Sequence, residues 1–482
     1  MKKHRNLLQH IFSFLLAILL TFSSVGLSSA SLKGDQSMLI RIDLHSADEI
    51  ETTANLAIPV HARITNTAGN LSILGFVDHQ QLAALEGQQI SVQILDHNPQ
   101  GKDYFWVQLP TSEAREKLAY AGTVLDYFED QALVTVNPEA VESLFRSGLK
   151  LKHLSSEPLP LLEPEAAPKI PSTIVPDPRV QSMLDQVTAT MVSDYDGGLS
   201  GVTPVTIGGS SYTMVTRHSS NATASTMATQ YAYEQFSDLG LSVAYHNYNH
   251  PYYGARRNVV AEQTGSSQPE RVILITAHID DMPSGSTAPG ADDNASGSTG
   301  VLIAAEILSQ YDFDCTLRYV LFTGEEQGLY GSHYYALDAY NSGDNIEAVL
   351  NLDMIAYNSD SLPRLDLHTR LKNGADLAIA NLFSDVVTAY QLNLEPQIFQ
   401  DGMGYSDHDS FWDYGFPAIL AIEDDDDFTP YYHTINDTLA TLNLTYFRDF
   451  VKASLGTLAH MGCLSELSNY ELYLPAVLNA EP

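Results

Sequence analysis

Apolar and polar residues first alternate at Leu39–Leu44 (LIRIDL), which predicts a strand. A helical period follows over Ser46–Leu56, then two extended runs around Val60–Ile64 and Leu71–Val77. A helix over His79–Leu85 and a strand over Ile90–Leu95 complete the set. The same succession then returns. It runs through strand Phe105–Leu109, helix Ser112–Tyr120, strands Thr123–Phe128 and Ala132–Val136, helix Pro138–Arg146 and strand Leu149–Leu154. Each copy reads β-α-β-β-α-β, the order of a ferredoxin-like unit. The repeat is one of period, not of identical residues. It holds no cluster of His, Cys or paired carboxylates, so region 31–154 is expected to be a prosegment or accessory module.

Seven prolines between Pro158 and Pro178 mark 155–180 as an extended linker, a domain boundary and a plausible processing site. Beyond it the pattern becomes α/β. An amphipathic helix is predicted over Thr223–Leu239, then strands Ser242–Tyr248, Asn258–Glu262 and Val272–His278. Next come helix Ala295–Ser309, strand Leu317–Thr323, helix Leu329–Tyr340 and strand Ala348–Met354. Helix Gly374–Gln391, strand Ala418–Glu423 and helix Asn443–Met461 follow. Strands alternating with helices imply an α/β domain over 181–465, with a mixed, largely parallel sheet sandwiched by helices. The apolar tail Leu472–Asn479 lies in segment 466–482 and has no derivable role.

The first thirty residues change the picture of where the protein works. Lys2, Lys3 and Arg5 precede an apolar run, Ile11–Phe22, and Ser28-Ser29-Ala30 has small residues at the positions a signal peptidase requires. Residues 1–30 therefore read as a Sec-type, bacterial-like signal peptide, and the mature protein as secreted or extracytoplasmic. No later segment reaches the ~18 uninterrupted apolar residues of a membrane span. The net charge of −35 argues against nucleic acid or anionic membrane as a partner. Cys315 and Cys463 are too few for a disulfide framework or a thiolate site. They form either one bridge or two buried thiols.

Candidate chemistry gathers where the α/β strands end. His278 closes the strand VILITAH, and Asp280 follows it. Asp292 and Asp293 close a Pro-Gly turn that opens a helix. Glu325 and Glu326 follow LRYVLFTG, Asp353 ends AVLNLD, and His433 lies in the loop after PAILAIE. In open sheets of this class a site forms at the carboxyl ends of the strands. Each residue alone has a plain reading: a loop hydrogen bond, a solvated pair, a helix cap. Ligand types recurring in this order across one domain point to a metal. His333, His368 and His408 read as surface or packing histidines.

The motifs His278-Ile-Asp280, Pro289-Gly-Ala-Asp-Asp293-Asn-Ala-Ser-Gly297 and Gly324-Glu-Glu326-Gln-Gly-Leu-Tyr-Gly-Ser332 appear in that order. Asn351-Leu-Asp353-Met, Ser406-Asp-His-Asp-Ser-Phe411 and Tyr432-His-Thr-Ile-Asn-Asp437 follow. Together, over roughly 200–460, they resemble the M28 family of co-catalytic zinc aminopeptidases, of the bacterial leucyl aminopeptidase type. The resemblance implies the zinc-peptidase/phosphorylase-like fold and two zinc ions. One would be held by His278, Asp293 and Asp353, the other by Asp293, Glu326 and His433, with Asp293 bridging. It implies that peptide or protein N-termini are the substrate and that Glu325 is the general base acting on a metal-bridged water. Tyr432 is similar to a tyrosine that binds the developing oxyanion in some relatives. Asp280 is expected to orient His278, and Asp407 or Asp437 to orient His433. The bond Asp293–Asn294 resembles one that is cis in relatives.

Around this set, Met403, Tyr405, Phe411 and Trp412 are expected to wall the pocket. The loop they line lacks the disulfide some relatives carry. The acidic run Glu423–Asp427 is a solvated loop, an attractor for the substrate's ammonium or a calcium site. A glutaminyl-cyclase-like enzyme with one zinc, a carboxypeptidase of the same superfamily and a non-enzymatic binding scaffold are the competing readings.

Overall fold

The computed structural model describes residues 37–65, 70–109, 116, 118, 122–128, 131–137, 140–147, 149–161, 170–283 and 285–465. The expected signal peptide, most of the predicted helix Ser112–Tyr120, part of the Pro-rich stretch and the tail 466–482 lie outside the described residues.

The N-terminal region folds into two small sheets. The first holds β1 (Met38–Leu44), β2 (Ala62–Thr65), β3 (Leu71–Val77) and β4 (Val92–Asp96), with helices Ala47–Asn55 and His79–Gly87 between them. The second holds β5 (Asp103–Gln108), β6 (Thr123–Phe128), β7 (Gln131–Val136) and β8 (Leu151–His153), with helix Val141–Phe145 before β8. Their orders are β2-β3-β1-β4 and β6-β7-β5-β8, and all pairings are antiparallel. The helix His79–Gly87 starts on a capping box: Asp78 accepts from Gln81 N, and the Gln81 side chain accepts from Asp78 N.

The hairpin β9 (Val205–Ile207) and β10 (Ser210–Tyr212) precedes the large sheet. That sheet comprises β11 (Ser242–His250), β12 (Gly254–Gln263), β13 (Gln268–His278), β14 (Cys315–Phe322) and β15 (Ile346–Leu352), then β16 (Arg364–His368), β17 (Glu395–Phe399) and β18 (Ala418–Glu423). Its order is β11-β12-β14-β13-β15-β18-β16-β17. The centre, β14-β13-β15-β18, is parallel, whereas β11, β12 and β16 run against their neighbours toward the centre. The sheet is thus mixed and mostly parallel.

Both faces of the central strands are buried, which is why they read as continuous apolar runs. In β13, Ile273, Ile275 and Ala277 enter one core, and Val272 and Leu274 the other. In β14, Leu317, Tyr319 and Leu321 oppose Val320 and Phe322 in the same way. Alternate residues of a strand point to opposite faces, so one run serves two layers. Helices Gly297–Leu308, Gly374–Ala389 and Leu444–Met461 cover the first face. The other is covered by Tyr330–Ser342, by Asp407–Asp413 and by the first N-terminal sheet, whose Ile40 and Ile42 share the core with Val272 and Leu274. Each fully buried Leu or Ile contributes roughly 1.5–3 kcal/mol, so this shared core is a strong attachment.

Some boundaries move for identifiable reasons. The helix expected from Asn443 begins at Leu444, because Asn443 is its cap and accepts from Thr445 N and Tyr446 N. The helix expected from Ala295 begins at Gly297, after a π-helical turn over Ala291–Ser296. Strands β16 and β17 and helix Asp407–Asp413 are additions to the expected set. Cys315 and Cys463 are bonded as a disulfide, with Cα atoms 5.5 Å apart. A bridge of this kind belongs to an oxidising, extracytoplasmic compartment. No helix among the described residues is long and apolar enough to cross a membrane.

Candidate metal centre

Four parallel strands deliver their carboxyl ends to one edge of the sheet. His278 ends β13 in register with Phe322 of β14, so Gly324-Glu325-Glu326 emerges beside it. Asp353 follows β15, and the loop after β18 returns with His433. Asp293 enters from the turn Ala291–Ser296, whose preceding Gly290 has φ +48°, with Asp281 and the Asp293 carbonyl against its α-carbon. A side chain at Gly290 has no room there.

The five residues expected as ligands converge. His278 Nε2 is 3.3 Å from Asp353 Oδ1 and 3.4 Å from Asp293 Oδ1. His433 Nε2 is 3.2 Å from Asp293 Oδ2 and 2.9 Å from Glu326 Oε2. The two oxygens of Asp293 therefore face two different imidazoles. In each triad, His278-Asp293-Asp353 and Asp293-Glu326-His433, one donor atom per residue lies within 4.8 Å of the others. His433 Nε2 and Glu326 Oε1 are buried without a hydrogen-bond partner. Unpaired buried donors and acceptors are costly unless something binds them. The nitrogen and oxygen set fits zinc.

Glu325 is buried beside this set, its Oε2 3.9 Å from His278 Nε2. Burial raises its carboxyl well above the usual range, Glu326 and Asp353 add to the rise, and His278 opposes it. Glu326 is pushed up to about 7 by burial and by Asp293, against His433. Burial lowers His433, but Glu326 and Asp293 override it and hold the imidazole at about 10. Asp353 goes the other way: burial would raise it, yet His278 and the Ser406 hydroxyl hold it low. Four crowded carboxylates against two imidazoles make a pocket that stabilises cations.

The remaining predicted residues take specific places. His278 Nδ1 lies 3.2 Å from the Asp280 carbonyl oxygen and 3.8 Å from the Asp280 carboxylate. That carboxylate instead accepts from Gly324 N (2.9 Å), Ser219 Oγ (3.0 Å) and Glu325 N (3.4 Å), so it holds the loop carrying both glutamates. Asp437 accepts from Asp292 N at 2.9 Å and Asp293 N at 3.0 Å, fixing the turn and not His433. Asp407 is fully buried and is not hydrogen-bonded to His433, whose Nδ1 has no partner among the described residues. The expectation that Asp407 or Asp437 orients His433 is corrected accordingly: Asp437 holds the Asp292–Asp293 backbone, and both Asp407 oxygens are buried without a hydrogen-bond partner among the described residues. Tyr432 stacks on His433, ring centres 3.6 Å apart. The Asp293–Asn294 bond is cis.

Ser406 and Arg217 carry no individual role in the sequence reading, and Glu423 only that of the acidic run. Ser406 donates to Asp353 Oδ2 at 2.6 Å and accepts from Asn351, which itself accepts from Thr276. The motif around Ser406 is visible in the chain, but its reach to Asp353 is not. Arg217, fully buried, donates to the carbonyls of Leu199, Ile279, Pro289 and Gly290 and clamps the segment that leads into the turn. Glu423 shares a buried contact with Asp292: burial raises both carboxyls, Asp292 pushes Glu423 up further, and the hydrogen bond with Glu423 opposes the rise at Asp292. The acidic run is thus divided, with Glu423 inside and Asp427 accepting from Ser359 and Asp360. His333, His368 and His408 are all buried.

The donors line one cleft together with Met354, Tyr405 and Tyr432. Leu149, Lys150 and Leu151 of the N-terminal region form one of its walls. The Lys150 ammonium lies 5.5 Å from the Phe428 ring centre and 5.8 Å from that of Tyr432. Tyr405 also lines the cleft, and Met403 packs with Tyr432, while Phe411 and Trp412 belong to the core behind.

Residues 258–458 match the model of Peptidase family M28. A "Probable leucine aminopeptidase" of Trichophyton verrucosum (strain HKI 0517) is 30% identical over 221 residues, 44% of this chain and 58% of that protein. A "Probable zinc metalloprotease" of Pyrenophora teres f. teres (strain 0-1) is 31% identical over 196 residues, 37% of this chain and 39% of that protein. The chain therefore spans 58% or less of these curated relatives. Among solved structures, the LapA aminopeptidase of Legionella pneumophila has a TM-score of 0.59 at 18% identity, covering 76% of this chain and 99% of that one. That likeness shows the fold.

Proposed function

Through residues 258–458 this chain belongs to peptidase family M28, and on that premise we propose that it is a secreted zinc aminopeptidase that removes N-terminal residues from peptides. The observation that carries the reading is Asp293, whose Oδ1 and Oδ2 face His278 and His433 separately. One carboxylate with its two oxygens turned to two donor sets is what a pair of metal ions sharing a ligand requires. His278 and Asp353 would complete one set, Glu326 and His433 the other. Zinc bound there supplies Lewis acidity and makes water a better acid near neutral pH.

The chain's own groups do the rest. Glu325 takes the proton from the attacking water and returns it to the leaving amine. Asp280 holds the backbone at Gly324 and Glu325, so that Glu325 stays aimed at the cleft. Tyr432 donates its phenol hydrogen to the carbonyl oxygen as negative charge develops. Asp437 fixes the Asp293 backbone, and Ser406 fixes Asp353. The acidic run 423–427 keeps two proposed uses, oxygen ligands for calcium or attraction of the substrate's ammonium.

Residues 31–154 act in this reading as a prosegment of two ferredoxin-like units, joined to a catalytic domain over 181–465 by the Pro-rich linker 155–180. The sheet orders β2-β3-β1-β4 and β6-β7-β5-β8 support the two units. The placement of Leu149, Lys150 and Leu151 in the cleft supports occlusion of substrate. The disulfide supports export.

Glu325→Gln tests the assignment. Hydrolysis of an aminoacyl arylamide should fall by about 10²–10⁴-fold while two zinc ions remain bound at the centre around Asp293. Full activity in that variant removes Glu325 from the role. One zinc at that centre in the wild type, with cyclisation of N-terminal glutamine, would favour the glutaminyl-cyclase reading instead.

A further inference from the structure

A second group of donors lies on the same sheet, away from Asp293. Asp366 and His368 are two apart on β16, so they share a face, and both are 2% exposed. They pair across to Ile422 and Leu420 of β18. Asp425 opens the 3-10 turn Asp425–Asp427 just past the end of β18, and its backbone N donates to Asp366 Oδ2 at 3.0 Å. One ring nitrogen of His368 and one oxygen each of Asp366 and Asp425 lie within 4.8 Å of one another.

The histidine is prepared as a ligand. Its Nδ1 is 2.9 Å from Asp401 Oδ2, and its ring stacks on Phe399 at 5.4 Å between centres. A carboxylate on one ring nitrogen fixes the tautomer and makes the other nitrogen the lone-pair donor, the usual support behind a metal-binding imidazole. That other nitrogen, Nε2, is buried and has no hydrogen-bond partner. A structural role alone would leave it no reason to be turned from solvent without a donor.

We propose that Asp366, His368 and Asp425 form a divalent-cation site of the zinc class, separate from the centre around Asp293. An imidazole with two carboxylates suits a borderline ion such as zinc better than calcium, which takes six or more oxygens. Exposed Asp425 gives the ion a way in and leaves a position for water. Bound there, the ion ties β16 to the turn Asp425–Asp427, the root of the loop that carries Tyr432 and His433. Leu420 and Ile422, opposite His368 and Asp366, already pack with Tyr432. The site therefore braces one wall of the cleft.

The test is zinc content of the full chain at equilibrium with micromolar free zinc, for wild type, Asp425→Ala and His368→Gln. Asp425 is exposed, so its variant folds even if the buried histidine's does not. Each variant should hold one zinc fewer than wild type, and zinc should raise the melting temperature of wild type more than that of either variant. If the paired-ion reading of Asp293 fails, the totals drop in all three proteins and the difference of one persists. Equal zinc content in wild type and Asp425→Ala overturns the proposal. So does a variant that loses calcium with its zinc unchanged.

Discussion

The edge of the large sheet and the N-terminal pair of sheets solve opposite problems. At the edge, β13, β14, β15 and β18 run parallel, so their carboxyl ends bring His278, Glu325, Glu326, Asp353 and His433 to one place. In the N-terminal region every pairing is antiparallel, strand ends alternate sides, and no such donor group forms among the described residues. What that region offers is cover. Lys152 sits between Asp409 and Asp413 at 3.0 Å from each, and Arg63 donates to the carbonyls of Trp412 and Asp413. His153 takes the Gly328 carbonyl, two residues past Glu326. Chemistry collects where strand direction forces side chains together, and the region without it can be spent on access.

The contrast can be broken most strongly with acid. His153 is buried against Tyr330 and His333, and burial pushes its pKa down from 6.5 to about 4, with Lys152 adding to the fall and Gly328 opposing it. The undocked form then binds more protons than the docked form between those values, so docking is complete above pH 6.5 and weakens as pH falls toward 4. One such group is worth at most about 3 kcal/mol. With the chain nicked in the Pro-rich linker, the two fragments should co-elute at neutral pH and separate near pH 4. His153→Phe should move that separation to lower pH.

A smaller effect sharpens the other side. Ser406→Ala removes the 2.6 Å bond to Asp353 Oδ2 and should weaken zinc binding about 10–100-fold, with the docking of the N-terminal region unchanged. Competition with a chelator reads the first and elution of the nicked chain the second. Smallest is Lys150→Ala. It removes the ammonium over Phe428 and Tyr432, so the KM of the intact chain for a dipeptide arylamide should drop a few-fold, while the nicked and separated catalytic part is insensitive.

The same contrast decides what could be read from the chain. The central strands are apolar on both faces, so VILITAH, LRYVLFTG, AVLNLD and PAILAIE declare both themselves and their ends, and the donors come with them. Peripheral β16 (RLDLH) and β17 (EPQIF) are only five residues long, with charged or polar residues at alternate positions, too short a period to separate from loop. Helix Asp407–Asp413 is likewise only seven residues long. The supports of the site were hidden for another reason. Ser406 reaches Asp353 across 53 positions, Asp437 reaches the Asp293 turn across 144, and Arg217 binds four carbonyls from three segments. Hydrogen bonds between distant loops leave no local period. The three buried histidines illustrate the same limit, because nothing near His368 in sequence signals that Asp401 and Asp425 meet it.

The central claim is that Asp293 serves two ions at once. The direct measurement is zinc stoichiometry at the paired centre in Asp293→Ala, His278→Ala and wild type, taken in an Asp425→Ala background so that only that centre is counted. The account predicts two zinc ions in the parent, none in Asp293→Ala and one in His278→Ala, with each variant folded by circular dichroism. One zinc retained in Asp293→Ala, or both lost in His278→Ala, would contradict a shared carboxylate.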